Sequence, residues 1–328
     1  MNKARIPSKN TSIPENEDRK LKSIISKIVF FIAATISLLP FMSPPLALCM
    51  GLVFAQFLNH PNPDLNQKAV HWLLQLCIVG LGFGMNLTTA LSAGKQGFLF
   101  TVGSIAITLT IGYFLGKFLK INSKTSFLIS VGTAICGGSA IAAVSPIIKP
   151  KANQISVALG VVFILNSIAL FIFPVIGHYF HLSQNQFGLW CAISIHDTSS
   201  VVGAASRYGN LALEIATTVK LARALWIVPI TIIAMKLFKS KGKIKPPYFI
   251  GLFIIALVLN TYVPSINAMS SGIVSLSKAG LCLTLFLIGC GLPFKVIASI
   301  GIKPLLQGII LWMLVSVFSL WIIIGLCR

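Results

Sequence analysis

His196-Asp197-Thr198-Ser199-Ser200 is a dense run of polar side chains inside an otherwise apolar stretch. Lys220 and Arg223 follow in the next helix-length run. Asp197 and Glu214 are the only acids after Asp64. A charge held at mid-bilayer costs roughly 2.5–3.5 kcal/mol, so residues of this kind mark a pathway or a binding site. The chemistry they offer is ionic. Buried cations supply positive potential to an anion, and a buried carboxylate beside them can titrate or hold a cation. In a helix His196 and Asp197 point about 100° apart and form no tight dyad. A break there frees both and exposes the hydroxyls of Thr198, Ser199 and Ser200 as ligands. The plainer alternative is that Asp197 is an interfacial cap, with Asp-Thr-Ser-Ser starting a helix at the membrane edge. Lys220 lies about 120° and Arg223 about 180° around a helix from Glu214, so neither pairs with it. Their partner must be Asp197, a backbone break or a bound anion. Snorkelling to the interface accounts for them poorly, because at least ten apolar-rich residues follow.

A second candidate stretch lies upstream. Small residues concentrate from Gly132 to Ser139, with Cys136, Gly137, Gly138 and Ser139 at the centre. One reading is a packing face where membrane helices approach closely. The other is a discontinuous helix, whose second half turns its N-terminal amides toward an anion. The expected substrate site combines Cys136, Gly137, Gly138, Ser139, Thr198, Ser199, Ser200, Lys220 and Arg223. His196 and Asp197 are the expected coupling groups for H⁺ or Na⁺.

The elements that position these residues follow from composition. Of 328 residues, 56% are hydrophobic and 10% charged, against about 25% charged in a soluble domain. The expected fold is all-α: a polytopic membrane protein of about 10–11 hydrophobic segments with inverted repeats and broken or re-entrant helices. The net charge of +20 sits in the tail and in short loops, as the positive-inside bias requires. Without a soluble basic face, a nucleic-acid partner is not expected. The seven cysteines show no CxxC pair, so neither a metal site nor a redox motif is indicated. No phosphate-binding GxxxxGK[ST] loop is present, and no cofactor is expected.

Residues 1–22 read as a disordered cytoplasmic tail and 23–328 as a single transmembrane domain. The apolar run from Ile28 reads as a retained span rather than a signal peptide, since no A-x-A site follows. Later spans are expected at Tyr248 to Val263, Ile273 to Leu292 and Pro304 to Leu326. Lys236, Lys239, Lys241, Lys243 and Lys245 mark a cytoplasmic loop, and Lys295 follows a Gly-Cys-Gly break. ICGGSAIAAVS (135–145) aligns with HDTSSVVGAAS (196–206), and LCIVGLGF (76–83) with LFLIGCGL (285–292). If 125–148 crosses fully, Lys149 and Lys151 land outside. If it is re-entrant from the cytoplasm and 187–209 is re-entrant from outside, both lysines stay inside and the similar units become inverted.

SVGTAICGGSAIAAVSPIIK, AISIHDTSSVVGAASRYG, ATTVKLARALWIVP and LFLIGCGL followed by KPLLQGIILW resemble the YeiH-like family of bacterial inner-membrane sulfate exporters. The resemblance covers most of the chain from about Leu73. It implies kinship with cation/proton antiporters and bile-acid-type symporters, in which a core moves like an elevator against a panel. The expectation is a multi-pass inner-membrane secondary transporter, N-terminus cytoplasmic, exporting sulfate or a related oxyanion or sulfonate. Its partners are the anion, H⁺ or Na⁺, the lipid bilayer and, as an allowed case, a second copy of the chain. A cation/proton antiporter exchanging at Asp197 is the alternative, and a passive channel ranks lower. Enzymatic activity is not expected: Ser139 with His196 only superficially suggests a serine dyad, with no oxyanion-hole signature.

Overall fold

Long apolar runs poor in acids leave a chain in lipid one economical way to satisfy its backbone, which is to bond each segment internally as helix. The computed structural model describes residues 14–58, 62–85, 87–238, 248–292 and 300–326. It is 86% helical, with no strand among the described residues. Residues 1–13, Lys239, Lys241, Lys243, Lys245 and Lys295 lie outside the described residues.

The helices are α1 (Pro14–Ser37), α2 (Pro44–Phe57), α3 (Pro63–Gly82), α4 (Leu87–Phe118), α5 (Ser123–Ala134), α6 (Gly138–Ile148) and α7 (Ala152–Tyr179). They continue with α8 (Gln184–Ser194), α9 (Thr198–Tyr208), α10 (Asn210–Ala224), α11 (Ile227–Leu237), α12 (Tyr248–Tyr262), α13 (Pro264–Cys290) and α14 (Ile302–Leu326). Among the described residues, five stretches are long and apolar enough to cross a bilayer alone: Phe100–Phe118, Asn153–Tyr179, Asn210–Leu237, Pro264–Cys290 and Ile302–Gly325. The third is interrupted at Leu225 and Trp226, between α10 and α11. Pro229 lacks the N–H that would reach Leu225, which loosens the rod there.

Two boundaries differ from the sequence reading. Helix α1 begins at Pro14, inside the stretch expected to be disordered, where proline's fixed φ suits a first turn. Helix α13 begins at Pro264 rather than near Ile273. Its first turns are rich in Ser and Asn, which dims the hydropathy without breaking the helix.

Both interrupted segments are re-entrant hairpins. Lys124 Nζ, in the first turn of α5, donates to the Lys149 carbonyl at the end of α6 (2.9 Å), and Gln154 Nε2 in α7 donates to Asn122 Oδ1 (2.8 Å). The α5–α6 hairpin therefore enters and leaves on one side. At the other hairpin, Tyr208 donates its hydroxyl to the Leu182 carbonyl (2.6 Å), and Gln184 Oε1 accepts from the Leu211 N–H (3.0 Å). The α8–α9 hairpin closes on itself in the same way. Because α7 links the two mouths, the hairpins enter from opposite sides. Lys117, Lys120, Lys124, Lys149 and Lys151 all fall at the mouth of α5–α6, the arrangement that the re-entrant reading requires.

The helices form two bundles. Helices α2, α3, α12 and α13 pack together with α1 against α13, and the rest surround the hairpins. Close approach fixes the first bundle: a Cβ on Gly51 would collide with the Phe286 carbonyl, and one on Gly289 would lie 2.8 Å from the Leu52 nitrogen. Asn66 Nδ2, near the start of α3, donates to the Leu287 carbonyl near the end of α13 (2.9 Å), while Gly80 at the other end of α3 faces Ser277, so α3 runs opposite to α13. The paired segments 76–83 and 285–292 are thus inverted, as are the hairpins. Along the chain they come in the order a, b, b′, a′, so one similar pair is nested inside the other.

Candidate functional site

The hairpin tips meet in the middle of the second bundle. Helix α5 ends at Ala134, and the chain turns through Ile135, Cys136 and Gly137 before α6 starts. Gly137 has φ +63° and ψ −124°, a conformation that glycine alone adopts without strain. A Cβ there would lie 3.1 Å from Val162 Cγ1 and 3.5 Å from Asp197 Cα. One tip therefore touches the other. The second tip is Ile195, His196 and Asp197, fixed from α7 by Asn166. Its Oδ1 accepts from the His196 N–H (3.0 Å) and the Asp197 N–H (3.2 Å).

Each hairpin puts one helix C-terminus and one helix N-terminus at the tip, and the two kinds of end are treated differently. The last carbonyls of a helix lack intrahelical partners and carry partial negative charge. Both cations answer them. Lys220 Nζ donates to the Ile195 carbonyl (2.6 Å) and the Ala192 carbonyl (3.4 Å) at the end of α8. Arg223 bridges both hairpins, with Nε to the Ala134 carbonyl (2.7 Å), Nη2 to the Thr133 carbonyl (3.4 Å) and Nη1 to the Ile193 carbonyl (2.5 Å). Both side chains are fully buried. The cations thus bond to backbone carbonyls rather than opening into a solvated cavity, and reach any ligand through their field.

The N-terminal ends are unlike each other. Asp197 is the N-cap of α9, its Oδ2 accepting from the Ser199 N–H (3.1 Å), the Ser200 N–H (3.4 Å) and the Ser199 hydroxyl. Helix α6 starts after Gly137 with no side-chain cap. Counting two cations, one carboxylate and about half a charge of appropriate sign at each of four helix ends leaves roughly +1 at the tips.

Around this point several buried polar atoms have no partner among the described residues: both ring nitrogens of His196, Nδ2 of Asn166 and Oγ1 of Thr133. Native interiors satisfy most such atoms, and each costs about 1–3 kcal/mol when left alone. Their concentration beside an uncapped helix start fits a ligand-binding site.

The structure brings together Cys136, Gly137, Gly138, His196, Asp197, Thr198, Ser199 and Ser200 at the tips, with Lys220 and Arg223 behind them. Cys136 is buried. Ser139 stands apart as an exposed residue. Asn166 and Thr133 escaped the sequence reading, although an Asn deep in an apolar 28-residue helix is itself a signal. Gln307 is a further buried polar residue, and its Nε2 ties α14 to α5 through Ser126 Oγ (2.8 Å) and Ser130 Oγ (3.2 Å). No group of three or more His, Cys, Asp or Glu suited to a metal occurs among the described residues.

Among known proteins, the chain is 48% identical over 328 residues to a UPF0324 membrane protein of Bacteroides thetaiotaomicron, covering 96% of this chain and 98% of that protein. It is 53% identical over 284 residues to one from Porphyromonas gingivalis (85% and 86%), and 49% identical over 302 residues to one from Bdellovibrio bacteriovorus (90% and 93%). No solved structure matches. The family described as "Conserved hypothetical protein 698" matches residues 21–308. With these relatives and that match, the chain belongs to the Conserved hypothetical protein 698 family of UPF0324 membrane proteins.

Proposed function

We propose that the protein is a secondary active transporter of the bacterial inner membrane, exporting a small anion such as sulfate or a related oxyanion or sulfonate, with H⁺ or Na⁺ as coupling ion. The observation that carries this reading is the meeting of two oppositely inserted hairpins whose C-terminal ends are neutralised by Lys220 and Arg223. That leaves the uncapped start of α6 as the positive pole among buried, unpartnered polar atoms. Discontinuous helices whose N-termini face an anion are a recurring transporter device. The family resemblance points the same way and supplies the elevator-like movement. The bundle of α2, α3, α12 and α13 would be the panel and the hairpin bundle the moving core. Gly203 of α9 faces Leu285 of α13, and Lys278 donates to Asn210 Oδ1 (3.4 Å), which sets α9 along the second half of α13. The lysine-rich side, with Lys236 and Lys303 as well as the five at the first hairpin mouth, would be cytoplasmic, placing the N-terminus there too.

The cation/proton antiporter reading draws on Asp197, a buried carboxylate at the tip. Its place beside the uncapped start of α6 suits a coupling group for an anion better than a carboxylate that exchanges cations alone. No Ser139–His196 hydrogen bond forms, since both His196 nitrogens lack protein partners, so a hydrolase reading gains no support.

The test is flux in proteoliposomes made with purified protein. Labelled sulfate and a panel of oxyanions and sulfonates are offered under imposed pH or Na⁺ gradients. Saturable anion flux that responds to a gradient is expected. Na⁺-driven dissipation of a pH gradient with no anion flux would replace this reading by the antiporter, and non-saturable flux would replace it by a channel.

A further inference from the structure

Three helices start together on the lysine-rich side: α5 at Ser123, α7 at Ala152 and α14 at Ile302. Between their first turns lies an open cavity of about 300 Å³. Lys120 and Lys303 line it with the amide side chains of Asn122, Asn153 and Gln154 and with apolar Ile300, and no Asp or Glu does. Each helix start contributes about half a positive charge, on top of two ammonium groups. The cavity lies apart from the hairpin tips, because the 12 residues of α5 separate them by about 18 Å.

The geometry is held rather than incidental. Asn122 Oδ1 accepts from the Lys124 N–H (3.1 Å) and from Gln154 Nε2 (2.8 Å), while Gln154 Oε1 accepts from the Lys151 N–H (2.9 Å). These bonds lock the starts of α5 and α7 side by side. Lys120 has φ +54°, and the next N–H, of Ile121, reaches back to the Gly116 carbonyl (3.0 Å). This is a helix C-terminus that glycine suits best, yet a lysine stands there and lines the cavity. Lys124, by contrast, is tied to the Lys149 carbonyl and does not line it.

We propose that this cavity is a binding site for a phosphate group, the chemistry that clustered ammonium groups and helix N-termini recognise. Its position, at the ends of the membrane helices α4, α7 and α14, suits the phosphodiester of an anionic phospholipid. Free inorganic phosphate is the other source of the same group. The site is independent of the transport reading and stands or falls without it.

The test uses the full chain with Lys120→Gly and Lys303→Gln combined; glycine fits the backbone at 120, so fold is retained while charge is lost. Native mass spectrometry in mixed micelles compares retention of phosphatidylglycerol with phosphatidylcholine. A parallel arm follows Tm of delipidated protein in phosphate against chloride at matched ionic strength. Near a headgroup surface each lysine is worth about fivefold in affinity, so the double variant should bind phosphatidylglycerol roughly 30-fold more weakly. Lys236→Gln, a change on the same face outside the cavity, should bind normally. Selective lipid loss in the double variant assigns a lipid headgroup. A phosphate-dependent Tm rise that only the double variant loses assigns free phosphate. Equal behaviour of wild type and double variant in both arms, or equal weakening by Lys236→Gln, overturns the site.

Discussion

Replacing Arg223 by lysine keeps the charge and removes the fork. The three carbonyls that Arg223 serves belong to two hairpins and are reached from three different nitrogens, Nε, Nη1 and Nη2. A lysine has one nitrogen at the end of a flexible stem and cannot span that spread. If it keeps one acceptor, two buried carbonyls are left without a donor, at about 1–3 kcal/mol each. The expected loss is about 2–6 kcal/mol, which lowers Tm by on the order of 10 °C at about 2–4 °C per kcal/mol. Thermal unfolding in detergent reads the stability, and anion flux in proteoliposomes reads the site. Arg223→Met removes the charge as well and should lose more in both measurements. A lysine variant within about 2 °C of wild type and with full flux would refute the idea that the guanidinium bridges the hairpins.

Three further outcomes follow from the same geometry. Asn166→Leu removes the acceptor for the His196 and Asp197 amides, so Tm should fall by an amount matching about 2–6 kcal/mol, with loss of flux; unchanged stability would show that the amides find other partners. Gly137→Ala forces a side chain into a positive-φ conformation beside Val162, costing about 1–3 kcal/mol, and anion flux should fall at least tenfold while the protein still reaches the membrane. In a cysteine-free background, cysteines at Lys117 and Lys149 should react with an impermeant maleimide from one side, and cysteines at His181 and Arg207 from the other. Labelling of position 149 from the same side as 181 would mean that α5–α6 crosses the membrane.

Much of this organisation was legible in the residues. The Gly137-Gly138 and His196–Ser200 interruptions, the two buried cations and the sidedness of Lys149 and Lys151 all carry local signals that hydropathy and charge bias can read. What the cations bond to was not legible. Their partners are main-chain carbonyls of Thr133, Ala134, Ile193 and Ile195, and a carbonyl has no letter in a sequence. Only the fold reveals that two helix C-termini converge on one guanidinium. Asn166 was readable in principle, but its role depends on α7 passing beside the second tip. The start of α13 was misplaced because a Ser- and Asn-rich turn reads as a loop when its packing is not known.

The unlike N-termini of α6 and α9 make a prediction about coupling. An anion at the start of α6 meets uncapped amides, whereas at α9 it would compete with the Asp197 carboxylate. Gly137 adjoins Asp197, so an anion seated there lies within some 8 Å of that carboxylate, and repulsion between unit charges at that distance is about 2 kcal/mol at an effective dielectric near 20. His196, Cys136, Lys220 and Arg223 are the other charged or titratable groups around it. Removing the negative charge should therefore tighten anion binding by roughly ten- to fortyfold. By linkage, a bound anion favours a bound proton or Na⁺ by the same factor. Asp197→Asn isolates the charge, since Asn caps a helix about as well as Asp. Sulfate binding to the purified variant should be tighter than wild type by that factor. Unchanged or weaker binding would place the anion away from Asp197 and remove the electrostatic basis for coupling.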